Sequence, residues 1–128
     1  MPRSRSRTGS DRRRLAHLWG HRGEALGALF LQAKLYTIRD RRFKTPVGEV
    51  DLVVEKSGTI VFVEVKTRGR NGDEGTALAA VNQSRISRAA QYWLARHPGE
   101  MGKDFRFDVI FLAPGRWPRH LINAFPAD

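Results

Sequence analysis

The chain has 128 residues, 41% of them hydrophobic, a net charge of +10 and no cysteine. A chain of this size can bury one core, but it has no apolar run of the ~18 residues that a membrane span requires, and without cysteine it has no disulfides, thiol catalysis or cysteine-bound metal. The absence of cysteine fits a reducing cytoplasm, and the basic surplus predicts a polyanionic partner, most often nucleic acid.

The positive charge is concentrated at the N-terminus. Residues 1–22 hold seven arginines and one acid. Residues 1–10 (MPRSRSRTGS) have almost nothing to bury, so we predict a disordered basic arm there and a single domain over residues 11–128. Such an arm attracts phosphates or an anionic membrane surface, or it simply keeps the protein soluble.

The spacing of apolar residues predicts two helices and five strands in the order α-β-β-β-α-β-β. The predicted helices cover residues 12–34 and 82–96, and the predicted strands cover residues 36–43, 49–55, 59–67, 105–112 and 121–125. This order predicts an α/β protein with a mixed central sheet flanked by helices, in which the first strand lies at an edge. Trp19, Trp93 and Trp117 are expected to pack in the interior.

The third predicted strand, TIVFVEVKT, carries Glu64 and Lys66 among apolar residues. Its alternating positions are apolar on both faces, which is typical of a strand buried on two sides. Burying an unpaired charge costs several kcal/mol, so these two side chains need a reason to be there. A hairpin turn centred on Ser57 and Gly58 would supply it, because that turn fixes which residues of the preceding strand face them.

In this register Asp51 lies opposite Glu64, and Glu49 lies opposite Lys66. Opposed residues project to the same side of a sheet, so two carboxylates are expected side by side, where they either share a proton or bind a cation. Oxygen ligands without sulfur favour Mg²⁺ or Mn²⁺, with the carbonyl of Val65 as a further ligand. A neighbouring ammonium group can position a water or stabilise developing charge, which predicts metal-dependent phosphodiester hydrolysis.

Six fragments between residues 20 and 125 form a pattern in chain order. They are GHRGE (20–24), GEVDLVV (48–54), VFVEVKTR (61–68), SRAAQYWL (87–94), RFDVIFL (106–112) and INAF (122–125). In this order they resemble the YraN-like family of small bacterial proteins, which is similar to the PD-(D/E)XK nuclease superfamily and in particular to archaeal Holliday-junction resolvases. The resemblance implies a restriction-endonuclease-like fold that cuts nucleic acid with Mg²⁺. It also implies a signature triad of Asp51, Glu64 and Lys66, with Glu24 as an additional helical glutamate.

Basic and polar side chains around this site are candidates for nucleic-acid binding. They are Arg68, Arg70, Gln83, Arg85 and Arg88. The YraN-like family usually has Lys-Gln or Gln-Gln where this chain has Asn82-Gln83, so one basic contact that the resemblance implies is missing here. A second group could flank the same groove, namely Arg39, Arg41, Arg42 and Lys44. For Arg85 and Arg88 an ordinary solvated helix face is the alternative.

Each site residue also has a purely structural interpretation. A Glu49–Lys66 ion pair would leave Asp51 and Glu64 merely solvated at a sheet end, and Glu24 would then be an ordinary first-turn helix acid. Asp108 is either structural or an outer metal ligand.

The sequence therefore favours a Mg²⁺-dependent nuclease, with a non-catalytic nucleic-acid-binding module as the alternative. By resemblance, the substrate is branched DNA such as a four-way junction. Because cutting two strands needs two active sites, a homodimer is compatible with this function.

Overall fold

The computed structural model of the chain describes residues 23–67, 78 and 81–127. These residues run helix, three strands, helix and two strands, which confirms the predicted order and the α/β class. The predicted basic arm and the part of the first predicted helix before residue 23 lie outside the described residues. Among the residues that are described, no helix is both long enough and apolar enough to cross a lipid bilayer.

The five strands and the second helix begin and end within two residues of the predicted positions, whereas the predicted start of the first helix lies outside the described residues. Within the described residues, helix α1 covers residues 23–33 and helix α2 covers Gln83–Arg96. The strands are β1 (Thr37–Thr45), β2 (Gly48–Lys56), β3 (Thr59–Thr67), β4 (Asp104–Leu112) and β5 (Arg119–Phe125), and a 3₁₀ turn at Pro98–Glu100 follows α2. The bounds of β3 are those predicted. The side chain of Asn82 caps α2 by accepting a hydrogen bond from the Arg85 backbone N–H.

The five strands form one mixed sheet in the order β1-β2-β3-β4-β5. Strands β3 and β4 are parallel, and the other three pairs are antiparallel. A parallel pair needs a long crossover connection, and α2 lies in the connection between β3 and β4. Strand β1 is at an edge of the sheet, as predicted.

The turn between β2 and β3 sets the register of the hairpin. Ser57 has φ of 53° and Gly58 has φ of 80°, and these two left-handed residues in succession are what a type I′ turn requires. The pairing of Val53 with Phe62 follows from this turn. The register predicted from the sequence is therefore confirmed next to the turn.

Each face of the sheet is covered by its own hydrophobic core. The core shared with α2 includes Phe62, Trp93 and Phe107, whereas the second core joins Leu31 of α1 to Val61 and Val63. Alternating residues of β3 thus point to opposite cores, as the apolar pattern on both of its faces predicted. Trp93 is fully buried, in agreement with expectation.

The expectation for the third tryptophan was wrong, since Trp117 is 89% exposed. It lies in the loop between β4 and β5, after Gly115 and directly before Pro118. Trp19 lies outside the described residues.

Candidate functional site

The predicted acids lie where β2 and β3 separate. Their ladder ends at the pair Leu52 and Val63, although β2 continues to pair with β1 as far as Gly48 and β3 continues along β4 as far as Thr67. Beyond this point the main chains no longer bond to each other. We call this opening the fork.

Asp51 and Glu64 meet at the fork. Oδ2 of Asp51 accepts a hydrogen bond of 2.8 Å from the backbone N–H of Val65, and so holds β3 where the ladder has ended. A side-chain hydrogen bond joins Glu64 to Asp51. Burial of Glu64, followed by the charge of Asp51 and this hydrogen bond, raises the pKa of Glu64 to about 8. At neutral pH, therefore, the carboxyl of Glu64 carries a proton.

Lys66 approaches this pair from the same strand. Its Nζ lies 3.6 Å from Oε2 of Glu64, and both side chains are partly buried. Glu49 is exposed and lies opposite Lys44 in the ladder between β1 and β2. The described residues thus pair Lys66 with Glu64 rather than with Glu49, so the structural interpretation through a Glu49–Lys66 ion pair was wrong.

Glu24 reaches the same region from α1. It is buried, with 9% of its surface exposed. Burial raises the pKa of Glu24, the positive charge of Arg42 opposes this shift, and the negative charge of Asp51 adds to it. Nε of Arg42 lies 3.6 Å from Oε1 of Glu24. The helix therefore brings the glutamate implied by the resemblance within electrostatic range of the acid pair.

The protonation of Glu64 predicts an unusual dependence of stability on pH. The ordinary pKa of this carboxyl is 4.5 and its value in the folded protein is about 8, so the folded protein holds a proton that the unfolded chain releases. Stability from this group is full below pH 4.5 and is lost as the pH rises through 8. We expect the free energy of unfolding to fall by about 4 kcal/mol between pH 5 and pH 8.5, measured by urea denaturation.

Glu64→Gln isolates this effect, because the amide keeps the shape of the side chain and does not titrate. We expect the variant to be less stable than, or equal to, the wild type at pH 5 and more stable at pH 8.5. If the free energy of unfolding changes with pH in the same way for both proteins, Glu64 is ionised throughout the range and the prediction is wrong.

The donor set at the fork suits a hard divalent cation. No group of three or more His, Asp or Glu side chains within the described part of the chain is spaced as a ready metal site. The pair of Asp51 and Glu64, however, brings two carboxyl groups together at one point, and carboxylate oxygens are the ligands that such a cation prefers. Val65, whose carbonyl was predicted as a further ligand, directly follows Glu64 and hydrogen-bonds to Asp51.

The N-terminal end of α2 lies beside the start of β2. A Cβ on Gly48 would stand only 2.3 Å from the carbonyl oxygen of Arg85, so helix and strand are in close contact there. Gln83, Arg85 and Arg88 are all exposed on this helix. Their exposure is compatible both with binding phosphates and with a solvated helix face. Arg68 and Arg70 lie outside the described residues.

A cavity of about 880 Å³ lies next to the fork, since its lining includes Gly23 and Thr67, the chain neighbours of Glu24 and Lys66. Its lining is chiefly apolar and includes Leu26 and Leu29 of α1 together with the exposed Trp117. The cavity contains none of Glu24, Asp51, Glu64 or Lys66. The predicted site residues therefore lie at the fork and do not line this cavity.

Asp108, for which two roles remained open, belongs to a buried structural network. Its carboxylate accepts hydrogen bonds from the guanidinium of Arg106 at 2.9 and 3.1 Å and from the backbone of Asn123 at 2.9 Å, and Nε2 of His120 lies 2.7 Å away. Burial raises the pKa of Asp108, but the hydrogen bonds from His120 and Arg106 outweigh burial, and the pKa is lowered. Both oxygens of the Asp108 carboxylate are hydrogen-bonded to these partners, so the role of this side chain is structural.

Two features of the site were missed from the sequence. Arg42 was grouped with three neighbouring basic residues, yet it is the one whose guanidinium contacts Glu24. His120 was not singled out, although it links Asp108 to Lys34, whose Nζ lies 2.7 Å from the other ring nitrogen. Neither feature has a local sequence signal, because the partners are distant in the chain.

The sequence was compared with known proteins. Residues 23–112 match the family described as Uncharacterised protein family UPF0102. A UPF0102 protein of Methylorubrum extorquens (strain PA1) is 49% identical over 114 residues, covering 89% of each chain. A UPF0102 protein of Bradyrhizobium sp. (strain ORS 278) is 44% identical over 122 residues, covering 95% of this chain and 86% of the relative. The predicted YraN-like membership is thereby confirmed, and the chain belongs to the UPF0102 family.

Proposed function

We propose that this protein is a divalent-metal-dependent nuclease that hydrolyses phosphodiester bonds. The observation that carries the proposal is the meeting of Asp51, Glu64 and Lys66 at the fork, where two hydrogen-bonded carboxylates lie next to an ammonium group. A partly buried ammonium group beside two acids is weak support for stability, so the fold alone does not account for this group. The resemblance of this triad to the PD-(D/E)XK signature supports the same function.

The residues at the fork have separate roles in this proposal. Asp51 and Glu64 would hold Mg²⁺ or Mn²⁺, with the carbonyl of Val65, and Glu24 would complete or orient the site. When bound, the ion supplies Lewis-acid stabilisation and lowers the pKa of water. Lys66 would position the attacking water through Nζ. Hydrolysis joins the water oxygen to phosphorus and breaks one P–O ester bond, and the water proton ends on the leaving oxygen.

The proposed substrate is nucleic acid, and branched DNA in particular. The net charge of +10 favours a polyanion, and binding to phosphates would weaken steeply as salt is added. Gln83, Arg85 and Arg88 on α2, together with Arg68 and Arg70, are the proposed backbone contacts. The choice of branched DNA rests on the resemblance to resolvases, and recognition would follow the shape of the DNA rather than its sequence.

The experiment compares cleavage of labelled four-way junction, duplex and single-stranded DNA in Mg²⁺, Mn²⁺ or EDTA. We expect the wild type to cut in either metal and not in EDTA, and Asp51→Asn to be inactive. A thermal-shift titration measures metal binding without catalysis, and Mg²⁺ should raise the melting temperature of the wild type more than that of Asp51→Asn. Equal cutting by both proteins would identify a contaminating nuclease and overturn the proposal.

The alternative is a module that binds nucleic acid without cutting it. The raised pKa of Glu64 is compatible with this alternative, because a neutral carboxyl beside Asp51 needs no cation to balance it. Strong DNA binding with neither cleavage nor a Mg²⁺-dependent thermal shift would favour it over the nuclease.

A further inference from the structure

Arg42 has a backbone conformation that a residue in a strand rarely adopts. It lies inside β1 with φ of 51°, between the paired residues Arg41 and Phe43, whose partners on β2 flank Asp51. Side chains with a Cβ are disfavoured in this left-handed region, and such strain persists only where the surrounding structure holds it. At this position the strained residue is directly across the ladder from one member of the acid pair.

The guanidinium of Arg42 is only partly engaged. Its one ion pair within the described residues runs from Nε to Glu24 at 3.6 Å, and its side chain is 37% exposed. No hydrogen bond occupies its two terminal nitrogens among those residues. Arg39, by contrast, is committed to a structural cluster with Glu55 and Glu100, at 2.6 and 3.0 Å. Arg42 is thus the basic residue of β1 whose guanidinium contacts one of the acids while it keeps donors to spare, although the charge of Arg41 also acts on Glu24.

We propose that Arg42 is a substrate-binding residue, whose terminal nitrogens grip a phosphate of the nucleic-acid backbone beside the acid pair. The inference rests on the proposed nuclease function and deepens it. A guanidinium presents parallel N–H donors that match two phosphate oxygens, and this bidentate geometry is stronger than a single contact. The long contact with Glu24 holds Arg42 toward the site until a phosphate replaces it.

The charges around Arg42 explain why a cation is needed at this point. The negative charges of Asp51 and Glu49 both raise the pKa of Glu24, so three carboxyl groups lie within electrostatic range of one another here. A phosphodiester that approaches these carboxylates is repelled unless cations stand between them. Lys66 is paired with Glu64, so Arg42 supplies the counter-charge on the β1 side.

The test uses the full-length chain and the substitutions Arg42→Gly, Arg42→Ala and Arg42→Lys. Glycine relieves the left-handed strain and alanine does not, so we expect Arg42→Gly to melt a few degrees higher than Arg42→Ala. Both should bind a labelled four-way DNA junction about 10-fold more weakly than the wild type in Ca²⁺, by fluorescence anisotropy. The slope of log affinity against log salt should become shallower by about 0.9 for each, as one phosphate contact is lost. Arg42→Lys should recover only part of the affinity.

Arg116→Ala is the matched control, because it removes the same charge from an exposed loop residue. We expect its affinity and salt slope to stay within twofold of the wild type. If Arg42→Gly binds and cuts the junction like the wild type while Asp51→Asn is inactive, the role of Arg42 is overturned and the nuclease stands. If wild type and Asp51→Asn behave alike in Mg²⁺, the nuclease itself is overturned. A weakening by Arg42→Ala alone would trace the loss to backbone strain and would also overturn the inference.

Discussion

Lys66→Ala is expected to lower the rate of DNA cleavage in Mg²⁺ by about 10²–10⁴-fold. Nζ of Lys66 lies 3.6 Å from Oε2 of Glu64, so it is close enough to the proposed metal ligands to contact a water bound between them. Removing the ammonium group takes away the donor that orients this water, but it leaves both carboxylates in place. Metal binding by thermal shift should therefore persist, and the loss should appear in kcat rather than in KM.

The control for Lys66 is Lys56→Ala. Lys56 ends the neighbouring strand at the hairpin turn, at the end of the β2–β3 ladder opposite the fork, and its Nζ lies 5.0 Å from the ring of Tyr36. The substitution changes the net charge by the same amount, so cleavage close to wild type separates a local effect from a general loss of charge. If Lys66→Ala cuts as fast as Lys56→Ala, the ammonium group has no part in the reaction. Lys66→Arg should restore little activity, because a planar guanidinium does not replace a compact donor.

Most of the fold could be predicted from the sequence because the apolar patterns and turns that determine it are local. β3 is apolar on both faces, and its flanking turn, Ser57-Gly58, favours the left-handed conformations that a tight hairpin needs. These two signals together fix the register, and with it the meeting of Asp51 and Glu64. The site could thus be predicted as far as hairpin geometry determines it.

The remaining features depend on contacts between distant parts of the chain. Nothing in the run RDRRF distinguishes Arg42 from its neighbours, since its left-handed backbone depends on how β1 meets β2. The predicted register also did not indicate that the β2–β3 ladder ends at Leu52 and Val63. Because it ends there, Lys66 forms its ion pair with Glu64 and not with Glu49. A large aromatic side chain is usually buried, and that general preference misplaced Trp117.

The second large effect concerns stability. Asp108→Asn is expected to lower the free energy of unfolding by on the order of 3 kcal/mol. The carboxylate is fully buried and holds Arg106, His120 and the backbone of Asn123. An amide of the same shape cannot accept all of these bonds, and it leaves the guanidinium of Arg106 without its counter-charge. Urea denaturation followed by tryptophan fluorescence, to which the buried Trp93 contributes, measures the loss.

The pH dependence of this loss separates Asp108 from the acids at the fork. Because the pKa of Asp108 is lowered from 3.8, its contribution is full above pH 3.8 and disappears as the pH falls through the still lower value in the folded protein. The loss caused by Asp108→Asn should therefore be present at pH 5 as well as at pH 8, whereas the contribution of Glu64 changes between these values. Asp104→Asn is the control, since it removes an exposed acid from the same strand and should change stability by less than about 0.5 kcal/mol. If the two variants lose equal stability, the network around Asp108 does not support the fold. If Asp108→Asn keeps its stability but no longer binds Mg²⁺, Asp108 is a metal ligand and its structural assignment is wrong.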